Sequence, residues 1–368
     1  MKCGQALKIE NMESEQKDRL FWLDVLRTLA ACAVVMMHTL TGAVDIMNTA
    51  AYEDGRWMLL IMDMVTWCVP VFLMISGFLF LDPEKEIGFW KMIKKYCVRI
   101  VLALLLFGIP FSCMELILAE GTFRIGMLWE GLWMVLTMRS WSHLWYLYLI
   151  LVLYALTPAL KWVLKRLPYW GIVLGLALLL VGSSGLPFLN QFVEGAAFPV
   201  LPDGSIYIFY YIFGYCLHKK EKRVGANNVL VWGVGIVIVL GEMMRDRLFR
   251  GASLQMAYNY PLTVLLSVGI MLFAMSFSEQ FQHNGRSVKH RSVLKYGRKL
   301  IVHLSRLSFT IYLIHPFFLN VMYKALHLTP VDTAGVISLP LFFAVTLICS
   351  VISAGILLKI TPLRKHIL

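Results

Sequence analysis

Apolar residues along this chain gather into long runs, and the polar positions between the runs are rich in Lys and Arg. The runs cover 20–44, 57–81, 98–119, 143–164, 169–187, 205–218, 229–243, 258–278, 304–324 and 336–358. A helix rises about 1.5 Å per residue and needs about 20 apolar residues to cross ~30 Å of hydrocarbon. The pattern therefore predicts an all-α fold: a polytopic transmembrane helical bundle of about ten spans, the runs 205–218 and 229–243 being short for a crossing. A further stretch, 124–138, carries Glu130 inside it and reads as an interfacial or re-entrant piece.

Charge placement gives the orientation. Lys and Arg concentrate in cytoplasmic loops. With the N-terminus inside, 26 of the 34 Lys and Arg fall in 1–19, 82–99, 161–168, 218–228, 279–306 and 359–368. The opposite side holds Arg56, Arg124, Arg139, Arg245, Arg247, Arg250 and Lys324, and Arg27 lies within the first run. Both termini are thus expected in the cytoplasm. The expected organisation is a cytoplasmic segment 1–19, a transmembrane domain 20–360 and a cytoplasmic tail 361–368. The stretch 279–303 reads as a long basic loop.

Composition agrees with that class. The chain is 59% hydrophobic and 15% charged, with mean hydropathy +0.71, whereas soluble domains are about half apolar and about a quarter charged. The net charge of +12 sits beside the apolar runs, where orientation and anionic headgroups of membrane lipids account for it. Nucleic acid is not an expected partner. The seven Cys are scattered, mostly inside apolar runs, and show no paired metal spacing, so no metal is expected. The first run lacks a small-residue cleavage site and reads as a retained span rather than a removed signal.

Ionisable residues inside a span mark functional sites by default. The first run carries Asp24, Arg27 and His38. Asp24 and Arg27 are three apart, neighbours on one helix face that can pair. Arg27 and His38 are eleven apart, about three turns and ~16 Å of rise along the same stripe. The bland alternative is a snorkelling Arg and a core His bonded to a carbonyl. Three polar groups on one stripe favour chemistry. His315, followed by Pro316, lies well inside the ninth run, and Asp63 lies within the second, where His38 is a candidate partner.

The Asp-x-x-Arg…His pattern of the first run resembles the membrane acyltransferase-3 family. VPVFLMISGFLF (69–80) is similar to its second-helix motif. KKYCVRI (94–100) lies where that family has an Arg-rich turn, HLWYLYLILVLYALTP (143–158) where it has a His-Leu-Trp-Tyr-Leu helix start, and SRLSFTIYLIHPFFL (305–319) where it has a Tyr-Leu-Ile-His helix. The resemblance covers about 20–360. It implies transfer of an acyl group, usually from acetyl-CoA on the cytoplasmic side of the plasma membrane. The acceptor is then a hydroxyl or amine of a cell-envelope glycan, lipid-linked sugar or small molecule.

On that resemblance His38 is the expected general base or acyl carrier, since an imidazole titrates near working pH, and Arg27 held by Asp24 stabilises charge or orients the donor. Lys95 and Arg99 are the candidates for the phosphates of acyl-CoA. Tyr96 stands where the family often has a second Arg, so the charge survives there without the guanidinium fork. His143, Trp145, Tyr312, His315 and Ser76 are the substrate-facing candidates. His143 and Trp145 read equally well as an interfacial aromatic belt, and Ser76-Gly77 as a close helix contact. A secondary transporter with the same polar core is the competing function, although the polar groups cluster in runs one to four and nine rather than in two matched halves. A non-catalytic sensor or assembly partner is the other; it would not need the His38 stripe.

Overall fold

The computed structural model describes residues 20–47, 53–82, 87–193, 198–220, 228–250, 257–284, 291–330 and 333–367. The expected segment 1–19 lies outside them. Among the described residues every regular element is helical and there is no strand. In chain order the helices are α1 (Phe21–Met47), α2 (Glu53–Val65), α3 (Cys68–Phe80), α4 (Phe89–Glu120), α5 (Met127–Leu136), α6 (Trp145–Arg166) and α7 (Tyr169–Leu189). There follow α8 (Ser205–Lys220), α9 (Val229–Arg250), α10 (Pro261–Asn284), α11 (Arg291–Asn320), α12 (Leu339–Leu357) and the short α13 (Thr361–His366).

Among the described residues seven stretches are long and apolar enough to cross a membrane: Phe21–Val44, Gly55–Phe80, Phe89–Glu120, Ser142–Arg166, Tyr169–Leu189, Tyr296–Ala325 and Gly335–Leu357. The other three apolar runs also fold as helices, α8, α9 and α10. Of these α8 has 16 residues, and α9 ends in the charged stretch EMMRDRLFR. The stretch 124–138 holds only the ten-residue α5, whose Trp129 and Trp133 are exposed. Arg124 braces it by pairing with both Glu120 and Glu130. Apolar side chains on the outer faces of the bundle, such as Leu178, Val237 and Ile352, are more than half exposed. A girdle of this kind is what a bilayer covers.

Two elements differ from the expected plan. The basic stretch 279–303 is mostly helix: α10 continues to Asn284 and α11 begins at Arg291. Lys and Arg are good helix formers, so a helix leaving the hydrocarbon keeps its geometry, and only 285–290 lie outside the described residues. The second span is broken at Thr66–Trp67 into α2 and α3. Pro70 cannot donate to the carbonyl four residues earlier and its ring crowds it.

The core forms where α1 packs on α3 and α11, and where α3 packs on α8. The α3–α8 crossing is the tightest point. A Cβ added to Gly77 would lie 1.8 Å from the Tyr211 carbonyl oxygen, and one on Gly214 would lie 2.0 Å from that of Met74. Ser76-Gly77 is thus the close helix contact that its sequence suggests. A buried ion pair fixes α9 to α2: Arg247 lies 2.6 Å from the Asp63 carboxylate, both side chains being almost wholly enclosed. Asp63 therefore pairs with Arg247 and not with His38.

Candidate active site

Register between α1 and α11 is set by side-chain bonds near the start of α1. The buried Asp24 carboxylate accepts a 2.7 Å hydrogen bond from Ser305 Oγ. Thr28 Oγ1 lies 2.9 Å from the Asp24 carbonyl and 3.3 Å from that of Ile301. With the helices so locked, the Arg27–His38 stripe of α1 faces the TIYLIHP segment of α11 rather than lipid.

Two cavities lie along that stripe, one at each end. The first, about 320 Å³, is walled by Arg27, Ser76, Arg99, Tyr154, Arg306 and Tyr312, among others. The second, about 570 Å³, is walled by His38, Trp141, His143, Glu115, Lys324 and His327, among others. A layer of rings divides them. Tyr312 belongs to the first wall, and its hydroxyl donates to the backbone carbonyl of His143, which belongs to the second.

Three imidazoles meet in this layer. The His38 ring centre lies 4.9 Å from that of His315 and 6.2 Å from that of His143, and His143 and His315 are 5.7 Å apart. Their hydrogen bonds indicate which ring nitrogens carry the hydrogen when the rings are neutral. His315 Nδ1 faces the Ile311 carbonyl at 3.1 Å; a carbonyl only accepts, so Nδ1 carries the hydrogen and Nε2 the lone pair. His38 Nδ1 lies 3.2 Å from that lone pair and 2.9 Å from the Val34 carbonyl. Both neighbours accept, so His38 Nδ1 also carries its hydrogen. His38 Nε2 is left as the basic atom, with the ring held from behind by His315.

Two further polar atoms in the second wall have no hydrogen-bond partner among the described residues: Trp141 Nε1 and His143 Nε2. Each costs about 1–3 kcal/mol when left so. The Trp141 indole is stacked on Phe111 at 4.1 Å and 7°. Among the described residues no three His, Cys, Asp or Glu side chains are spaced to hold a metal ion.

The structure thus brings His38, His143, His315 and Tyr312 together, and sets Arg27, Ser76 and Arg99 around the first cavity. Lys95 is not in that wall. It is exposed on the π-helical turn Met92–Cys97, its ammonium 5.6 Å over the Tyr96 ring. Trp145 lines neither cavity and packs 5.6 Å from both Tyr207 and Tyr258. Sequence reasoning missed Tyr154, Arg306, Trp141 and the Glu115–Lys324 pair, whose closest atoms are 2.6 Å apart. Tyr146, Ile150 and Tyr154 share one face of α6 at four-residue spacing, a signal that was readable. The Glu115–Lys324 pair joins residues 209 apart, for which no local pattern exists.

Comparison with known families decides the class. The acyltransferase domain family, acyltransferase-3, matches residues 20–355. The chain belongs to this family. The match begins just before α1 and ends within α12, so both cavities and the ring layer lie inside it. No curated protein and no solved structure matches the chain. Its apolar helices and its family together make it a multi-pass membrane protein of the acyltransferase class.

Proposed function

We propose that this acyltransferase moves an acyl group, acetyl first among them, from cytoplasmic acyl-CoA to a hydroxyl or amine of a cell-envelope glycan or lipid-linked sugar at the plasma membrane. The observation that carries the reading is the pair of cavities at opposite ends of one polar stripe, with His38 in the wall of the second and against the ring layer between them. The alternation of Lys and Arg along the sequence supports a cytoplasmic position for the Arg27 cavity. The donor's thioester arm enters there, and the acceptor enters the larger cavity.

His38 Nε2 takes the proton of the acceptor hydroxyl as its oxygen attacks the thioester carbonyl. The new C–O bond forms, the C–S bond breaks, and the proton returns to the departing thiolate. His315 is a positioning residue: together with the Val34 carbonyl it accepts from Nδ1, which leaves Nε2 basic and holds the ring in place. Arg27 stands ~16 Å along α1 from His38, too far to touch the same carbonyl. Its work is therefore donor orientation rather than stabilisation of the reacting oxygen.

The test is turnover of acetyl-CoA by purified protein and by His38→Ala. Slow thioester hydrolysis that disappears in the variant while donor binding persists is the expected result. Failure of folded wild-type protein to bind any acyl-CoA would overturn the proposal and favour the transporter.

A further inference from the structure

The Arg27 cavity, at about 320 Å³, is near the lower bound of small-molecule pockets. It has room for an acylated pantetheine arm but not for a nucleotide as well. If the donor is a CoA thioester, as proposed above, its phosphates rest outside, at the mouth. α13 is docked against the cavity wall through the residue that follows it. Ile367 is buried, Leu363 packs against the main core, and the Ile367 carbonyl accepts a 2.7 Å hydrogen bond from Nε of Arg99, itself a wall residue.

The remainder of α13 faces outward, with Arg364, Lys365 and His366 exposed. Arg364 precedes Ile367 by three residues, about 4.5 Å along a helix axis. From α11, the exposed Arg306 lines the same cavity. Two cations remote in sequence, Arg99 and Arg306, thus line one cavity, the segment that carries Arg364 and Lys365 is bonded to the first of them, and 359–367 contain no acidic residue. Orientation in the membrane accounts for basic residues on this side. It does not call for a segment anchored to a cavity-wall arginine, since an unanchored basic segment would serve equally well.

We propose that α13 is part of the donor site: Arg364 and Lys365, together with Arg99 and Arg306, bind the phosphates at the nucleotide end of the acyl donor. A phosphate at this place could belong instead to an anionic lipid headgroup, and the experiment separates the two. Wild type and Arg364→Gln/Lys365→Gln are reconstituted in nanodiscs of neutral phosphatidylcholine, where no anionic lipid is present. The ratio of kcat/KM for acetyl-CoA to that for S-acetylpantetheine is measured for each. Wild type should prefer acetyl-CoA, and the double variant should lose about tenfold of that preference. The charge reversal Arg364→Glu/Lys365→Glu should lose more.

An unchanged ratio overturns the inference. So does an unchanged ratio accompanied by weaker retention on phosphatidylglycerol vesicles, which would assign the cations to lipid. Deletion of 361–368 that lowers the KM for acetyl-CoA would show a plug rather than a binding element, and overturns it too. In each of these cases acyl transfer by His38 stands. If wild type neither binds nor turns over either thioester, the reading under Proposed function fails and this inference fails with it.

Discussion

Substituting Gly77 by Ala tests how far the α3–α8 crossing, next to the cavity-wall residue Ser76, depends on close backbone contact. The added carbon would lie 1.8 Å from the Tyr211 carbonyl oxygen, 2.7 Å from its carbon and 3.2 Å from its Cα. All three are backbone atoms inside a helix, so none can swing away. Carbon and carbonyl oxygen come no closer than about 3.3 Å, and the helices must therefore part by about 1.5 Å at that point. Overpacking usually costs about 1–3 kcal/mol, and backbone against backbone belongs at the upper end. Alanine's better helix propensity returns at most about 1 kcal/mol. A net loss of about 2 kcal/mol or more is expected, with a lower melting temperature in detergent followed by size-exclusion fluorescence. The separation also strains the 2.8 Å hydrogen bond between Tyr211 and Thr157, which joins α8 to α6. Gly175→Ala and Gly355→Ala are the controls, because nothing lies within 4 Å of a Cβ at either position. If Gly77→Ala melts with these controls, the crossing is looser than its geometry implies and the reasoning fails.

Other expectations follow from single contacts. His315→Leu removes one of the two acceptors at His38 Nδ1 and leaves the Val34 carbonyl, so the tautomer stays but the ring is held less firmly; kcat should fall by up to about 100-fold, while His315→Gln, whose side-chain oxygen can still accept, should keep much of the rate. Equal losses in the two would deny His315 a positioning role. Arg247→Leu strands the Asp63 carboxylate and should cost about 3–5 kcal/mol, most of it recovered in Asp63→Leu/Arg247→Leu; thermal melts of the two variants decide it. Arg99→Gln should raise the KM for acetyl-CoA about tenfold, and exposed Lys95→Gln by less than about twofold. The reverse order would return the donor site to the surface lysines.

The run lengths of apolar residues were enough to find the helices, because hydrocarbon thickness fixes the length a crossing needs. All ten apolar runs fold as helices, and the stripe of α1 was legible from the spacing of Asp24, Arg27 and His38 alone. Helix ends beyond the hydrocarbon were less legible, since charge ends an apolar run without ending a helix. That is why 279–303 read as loop although α10 and α11 occupy most of it.

Pairing was the hardest thing to read, for a geometric reason. Helical periodicity shows which residues share a stripe but not which stripe of another helix it meets. Asp63 was available to His38 by depth, yet it meets Arg247 across 184 positions. The partner of His38 is instead His315, 277 positions away. Once Ser305 binds Asp24 and Thr28 reaches Ile301, however, the α1–α11 register is fixed. His315 lies ten residues beyond Ser305 and His38 fourteen beyond Asp24 on helices that run side by side in the same direction. At 1.5 Å per residue the two rings then sit within about 6 Å in depth. The site is thus the consequence of one polar anchor at the start of α1.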